Sequence, residues 1–234
     1  MRITGNKGNF LNNSILIFVG VNLANLASYL LYILLLKYDK NLFNDYIPIS
    51  SIVAILFTIS LIIFRAFAVD GQDIYTELSN RFVKNKSKLI QITIIILISS
   101  VLLSFLLSKL QDKYSFLAIL LTIITALASY VYSMYRGIRQ YDGDLTNMII
   151  GINIETFGRL LIGFTLGYFL KMGIEGILLS MIIAHLIGIF YMYKRPVKTS
   201  SIQLDSKLLL TFRNSFIFTL GLELYVNILI LYAN

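Results

Sequence analysis

In a chain of 234 residues, 57% are hydrophobic, only 14% are charged, and the mean hydropathy is +0.79. Ordinary soluble domains hold about 45–50% apolar and about 25% charged residues, so this composition carries more apolar surface than one water-soluble core can bury. Cysteine and tryptophan are absent, which excludes a disulfide framework, a thiolate metal site and a cysteine nucleophile; the net charge of +8 is spread between apolar runs rather than along one amphipathic face, which argues against a nucleic-acid partner.

Seven apolar runs follow one another, at 14–36, 47–68, 89–108, 115–135, 146–170, 174–193 and 214–232. Each is close to the roughly 20 residues that a spanning helix needs. Only helices and closed barrels satisfy their backbone groups in hydrocarbon. Barrel alternation is missing, as in the stretch 92–98, which is continuously apolar apart from Thr93. The expectation is an all-α integral membrane protein of about seven transmembrane helices. Met1 to Phe10 carry Arg2 and Lys7, but the run behind them is too long for a signal-peptide core and has no small-residue cleavage site, so it is expected to stay.

Orientation follows from the cations. With the N-terminus in the cytoplasm, fourteen of them fall inside: Arg2, Lys7, Arg65, Arg81, Lys84, Lys86, Lys88, Arg136, Arg139, Lys194, Arg195, Lys198, Lys207 and Arg213. Five fall outside: Lys37, Lys40, Lys109, Lys113 and Lys171. The expectation is a multi-pass protein of the inner membrane with its N-terminus in the cytoplasm. The external loops, Lys37 to Tyr46, Lys109 to Tyr114 and Lys171 to Gly173, are too short for a catalytic domain. The longer cytoplasmic connections, Val69 to Lys88 and Lys194 to Arg213, have room for short surface helices.

The two ends share a pattern. Asn13-Ser14, five residues, Gly20-Val21-Asn22-Leu23 returns 201 positions later as Asn214-Ser215, five residues, Gly221-Leu222-Glu223-Leu224. Six spans separate the copies, so both point the same way, as in transporters with parallel repeats. The expected division is a six-helix lobe over 1–200, then a linker and the first helix of an incomplete second lobe over 201–234.

Polar side chains at membrane depth are costly and generally face a bundle interior or an aqueous cavity. In the first span, Asn22, Asn25, Tyr29 and Tyr32 recur at spacings of three and four, hence on one helical face. Amides and phenols suit sugar hydroxyls and ring faces; the alternative is interhelical hydrogen bonding. In the fourth span, Thr122, Thr125, Ser129, Tyr132 and Arg136 repeat that spacing. Glu155 and Arg159 lie four apart near the middle of the fifth span, either as a self-neutralising pair or as a site for a substrate phosphate or a coupling ion. His185, the only histidine, lies in the sixth span, as a proton relay or a hydrogen-bonded interior residue. Glu223 and Asn227 lie four apart in the seventh. Arg65, near the cytoplasmic end of the second span, either snorkels or meets an anionic substrate. Gly163 and Gly167 have the spacing of close helix packing.

Three elements carry a family resemblance: Tyr135-Arg136-Gly137-Ile138-Arg139-Gln140-Tyr141, Ile154-Glu155-Thr156-Phe157-Gly158-Arg159-Leu160-Leu161, and Leu170-Lys171-Met172-Gly173-Ile174-Glu175-Gly176. Together with the entry Lys7-Gly8-Asn9-Phe10 to Gly20, they resemble the polysaccharide biosynthesis flippases of the multidrug/oligosaccharidyl-lipid/polysaccharide exporter superfamily. In the first element Gln140 and Tyr141 stand one place later than the family pattern. The resemblance implies two six-helix lobes around a cavity that opens alternately to the two sides. It implies no enzymatic activity and no cofactor beyond a coupling ion, proton or sodium.

The implied cargo is an undecaprenyl-pyrophosphate-linked oligosaccharide for capsule, O-antigen or another cell-envelope polysaccharide. Arg159 and Arg65 would counter the pyrophosphate or acidic sugars. Glu155 would hold Arg159 or the coupling ion, and Asn22, Asn25, Tyr29 and Tyr32 would touch sugars. Other expected partners are membrane lipids and a missing second lobe, as a separate chain or a second copy, since seven spans make this a fragment or a half-transporter by the family's measure. A cation-coupled drug exporter of the same superfamily is the alternative, disfavoured by Asn22 and Asn25 where acidic residues would stand. A membrane enzyme of polysaccharide assembly is the third reading; it would show a large external loop or a histidine and carboxylate at a membrane face.

Overall fold

A computed structural model of the chain describes residues 7–84, 91, 98 and 114–193. Apart from residues 91 and 98, the run at 89–108 lies outside these. So do the run at 214–232 with Glu223 and Asn227, the second copy of the repeat, and the division near residue 200. The described residues form helices only: α1 (Lys7–Tyr38), α2 (Lys40–Lys84), α3 (Phe116–Tyr141), α4 (Leu145–Phe164), continued by a π-helical turn over Thr165–Phe169, and α5 (Gly173–Met192).

Four of them are long and apolar enough to cross a membrane, over Ser14–Tyr38, Phe116–Tyr141, Leu145–Phe169 and Gly173–Met192. A fifth crossing is α2, if its limbs Lys40–Ala54 and Ile59–Val69, bent by 40°, are taken as one span. Phe18, Leu161 and Phe190 are among many large apolar side chains turned to the exterior, which suits lipid and not water. The chain is therefore a multi-pass membrane protein.

Local chemistry sets the breaks. Only Asp39 separates α1 from α2, so the external loop expected from Lys37 to Tyr46 is almost wholly helical. The Asp39 amide still donates to Leu35 O, while its carboxylate accepts from the Leu42 amide at 3.0 Å and caps α2. Likewise α2 continues as helix to Lys84, through most of the connection read as Val69 to Lys88. Ser115 caps α3 by accepting from the Ala118 amide, and its hydroxyl donates to Glu175 in the first turn of α5 at 2.6 Å. Positive φ at Lys171 and Gly173 turns the chain from the π-helical segment into α5.

α1 packs on α4, α2 packs on α3, and α5 lies against both α3 and α4, whereas α1 and α2 touch little. One apolar core joins all five helices through Leu31 and Leu35, Tyr46 and Ile49, Ala118, Leu160, and Ile177 and Leu178. Smaller cores at the other end hold Phe67, Tyr135 and Met192, and Met148 and Ile149. Close approach of α5 depends on small residues: Ser180 and Ile177 occupy the space a Cβ would need at Gly163 and Gly167, and the Tyr132 ring occupies it at Gly188.

Arg139 ties the ends of three helices together. Its Nε donates to Met192 O at 3.0 Å, satisfying a carbonyl at the end of α5, and Nη1 pairs with Asp144 ahead of α4. Partial burial pushes the Asp144 carboxyl up, but hydrogen bonds from Asn147 and Arg139 and the guanidinium charge outweigh it and hold the group below the ordinary carboxylate range. A value lower in the folded than in the unfolded state gives stability that is present at neutral pH and lost as the pH falls below about 4.

Two stability tests follow, both read by thermal unfolding in detergent. Gly188→Ala drives a methyl into a buried tyrosine ring and costs about 1–3 kcal/mol, whereas Gly158→Ala, whose nearest neighbour would lie at 3.7 Å, is tolerated. Acidification from neutral pH to about 3.5 destabilises the wild type more than Asp144→Asn, which has already lost the pair.

Candidate functional site

Between the two ends of the bundle lies a cavity of about 330 Å³. All five helices line it: Val21 to Ser28 on α1, Phe57 to Leu61 on α2, Ser129 to Arg136 on α3, Ile152 to Arg159 on α4 and His185 on α5. Glu155 stands ten residues into α4, about 15 Å along it at 1.5 Å per residue, roughly half the thickness of a hydrocarbon core.

Glu155 and Arg159 share a face of α4, yet no ion pair joins them. Arg159 reaches across to α1, where Nη2 donates to the Ser28 hydroxyl at 2.8 Å. The Ser28 hydroxyl in turn donates to Ala24 O at 3.2 Å. Glu155 Oε2 lies 3.1 Å from the Thr156 hydroxyl, while Oε1 is buried, has no hydrogen-bond partner, and faces His185 Nε2 at 3.9 Å. His185 Nδ1 lies 2.6 Å from Met181 O. A carbonyl only accepts, so Nδ1 carries the proton. The imidazole is held edge-on between the Tyr132 ring at 5.2 Å and the Phe57 ring at 5.7 Å.

Arg136 closes one side. Its guanidinium lies over the rings of Phe64 at 4.9 Å and Tyr132 at 5.6 Å, and its Nε is buried without a hydrogen-bond partner. Tyr132 donates to Gly151 O, and the hydroxyls of Ser60 and Ser129 pair across α2 and α3. A second cavity of about 190 Å³ lies towards the α1–α2 turn, where the rings of Tyr32 and Tyr46 meet at 5.3 Å. Ser28, Phe57 and Arg159 border both cavities.

Of the residues singled out in the sequence, Asn25, Ser129, Tyr132, Glu155, Arg159 and His185 come together on the larger cavity, and Tyr32 lines the smaller. Asn22 is exposed and donates to Phe18 O, and Tyr29 is 68% exposed on the outside of the bundle. The lining face of α1 is Val21, Asn25, Ser28 and Tyr32, slightly rotated from the expected stripe. Thr125 is buried between α3 and α5, bonded to Leu121 O and near Leu178 O, away from the cavity walls. Arg65 is half-buried on α2 and borders neither cavity. Ser28, Phe57, Ser60 and Ser133 line the larger cavity and Tyr46 and Ser50 the smaller, although no stripe or charge in the sequence marks them. Arg136, counted among the cytoplasmic cations and also a member of the α3 stripe, faces the larger cavity as the stripe implies.

The chain matches no protein-family model, no curated protein and no solved structure. Fold and site thus define a class: a multi-pass helical membrane protein whose described helices enclose a polar, charge-bearing cavity at mid-depth.

With no native cysteine, single substitutions probe whether water fills that cavity. Asn25→Cys and Ser133→Cys, on its wall, react with a membrane-impermeant thiol reagent, whereas Ser180→Cys, fully buried between helices, stays unlabelled. Equal protection of all three would mean a sealed cavity.

Proposed function

We propose that the chain is a transporter lobe that carries an amphipathic anion, a lipid-linked oligosaccharide joined through pyrophosphate, across the inner membrane for cell-envelope polysaccharide assembly. The observation that carries this reading is the imbalance of charge around the larger cavity. Two guanidinium groups, Arg136 and Arg159, border it against one carboxylate, Glu155, and neither arginine is paired with that carboxylate. A buried cation is costly unless a counter-charge or water sits beside it. Planar, multiply donating guanidiniums fit phosphate oxygens well.

The smaller cavity supports the rest of the ligand. Tyr32 and Tyr46 offer ring faces, and Ser28 and Ser50 offer hydroxyls, a surface suited to sugar. Arg159, bordering both spaces, would hold the pyrophosphate where saccharide and lipid diverge. In this reading the N-terminus is cytoplasmic, no step is enzymatic, and a second lobe, from another chain or a second copy, completes alternating access.

The drug-exporter alternative draws on the unpartnered Glu155 oxygen, but the two arginines oppose a cationic drug. A membrane enzyme draws on the His185 and Glu155 pairing, which lies buried at mid-depth rather than at a membrane face.

The test is export in the producing cell. Arg159→Ala and Arg136→Ala each lower delivery of lipid-linked saccharide to the outer leaflet at least about tenfold, the worth of one charge-assisted contact, with membrane levels of the protein unchanged. Wild-type export in both variants would remove the arginines from the site.

A further inference from the structure

We propose that Glu155 Oε1 and His185 Nε2 together form a binding site for one exchangeable proton, and that its occupancy sets how strongly the cavity holds an anion. The second half rests on the arginine-lined reading above; the first does not.

The tautomer is the starting point. Because Nδ1–H is committed to Met181 O, the neutral ring presents only a lone pair at Nε2. That lone pair faces Oε1, itself an acceptor, buried and without a hydrogen-bond partner. Two acceptors facing each other in a low dielectric are unfavourable, and one proton between them converts the clash into a hydrogen bond. The separation of 3.9 Å is closed by a small rotation of the carboxyl group or by one water.

The surroundings hold the pair in place. Around the imidazole, α4 presents Glu155 and Arg159, α3 presents Tyr132 and Arg136, α2 presents the uncharged Phe57 and Ser60, and α1 presents Asn25 and Ser28. Tyr46, on α2, stands beyond Arg159 in the smaller cavity. Gly188 lets the Tyr132 ring and the Glu155 Cβ approach α5 one turn from His185.

Charge then couples the proton to the anion. With the proton bound, the pair is neutral overall and both guanidiniums act on the cavity unopposed. Without it, the pair carries one negative charge, which repels an anion. Anion binding and proton binding therefore favour each other, as linkage requires.

The experiment measures binding of sulfate, whose charge is constant over the range, to the full chain in nanodiscs at about pH 5.5 and about pH 8.5. The wild type binds more tightly at the lower pH, by at least tenfold, the worth of one charge within about 12 Å at an effective dielectric of about 20. Glu155→Gln, whose amide is neutral and donates to Nε2 as the protonated acid would, keeps the low-pH affinity at both values. A wild type insensitive to pH, or a Glu155→Gln variant as sensitive as the wild type, overturns the proposal while leaving the arginine reading standing.

If no sulfate binds, the arginine reading and the coupling fall, and the proton site is judged on spectra of the wild type with [15N]histidine. The chain's single histidine gives one assignable ring. A neutral ring protonated at Nδ1, with an Nε2 signal that moves with pH, supports the site; a ring protonated at Nε2, or an Nε2 signal that never moves, overturns it. These spectra also decide the matter if Glu155→Gln fails to fold.

Discussion

Hydrocarbon does not solvate charge, and that constraint organises this molecule. A lone ionised side chain at mid-depth must find a partner, a hydrogen-bonding shell or water. Glu155, Arg159, His185 and Arg136 all turn to one cavity rather than to lipid, and each helix contributes apolar residues on either side of that level. The cavity is the place where the bundle is allowed to be polar. The apolar cores at its two ends keep it there.

The way the helices pair follows from the same demand. α1 rests on α4 and α2 on α3, with α5 bridging, so the sparse contact between α1 and α2 leaves space for the smaller cavity. Tight glycine contacts along α4 and α5 bring His185 within reach of Glu155, and the Tyr132 ring packs edge-on against the imidazole. Polar residues that do not face the cavity satisfy themselves within their own helices, as Asn22 does with Phe18 and Thr165 with Leu161.

Much of this was legible in the sequence. Apolar runs gave the helices, and the polar stripe on α3 gave the buried face, because burial in a membrane bundle selects small hydroxyl residues at helical spacing. Glu155, Arg159 and His185 stood out because ionisable residues at mid-span are rare. What the sequence could not show was phase and pairing. A rotation of α1 by a fraction of a turn brings Ser28 rather than Tyr29 to the wall, and Ser28 is an unremarkable residue until Arg159 is seen to reach it. The i, i+4 spacing of Glu155 and Arg159 suggests a local pair, yet Arg159 bonds Ser28 on α1 and Glu155 Oε1 faces His185 on α5, which only tertiary packing decides. Arg136 has the same lesson: near a helix end it reads as a topological cation, and its stacking on Phe64 and Tyr132 emerges only when α2 and α3 are packed together.

The central claim is that a mid-membrane, arginine-bordered cavity receives a pyrophosphate-bearing lipid. It is tested most directly by equilibrium binding of a polyprenyl-pyrophosphate saccharide to the purified chain in nanodiscs, comparing the wild type with the double variant Arg136→Ala, Arg159→Ala. The account predicts saturable binding by the wild type that the double variant loses and that excess neutral polyprenol does not displace. Equal binding by both proteins, or displacement by the neutral lipid, would contradict it.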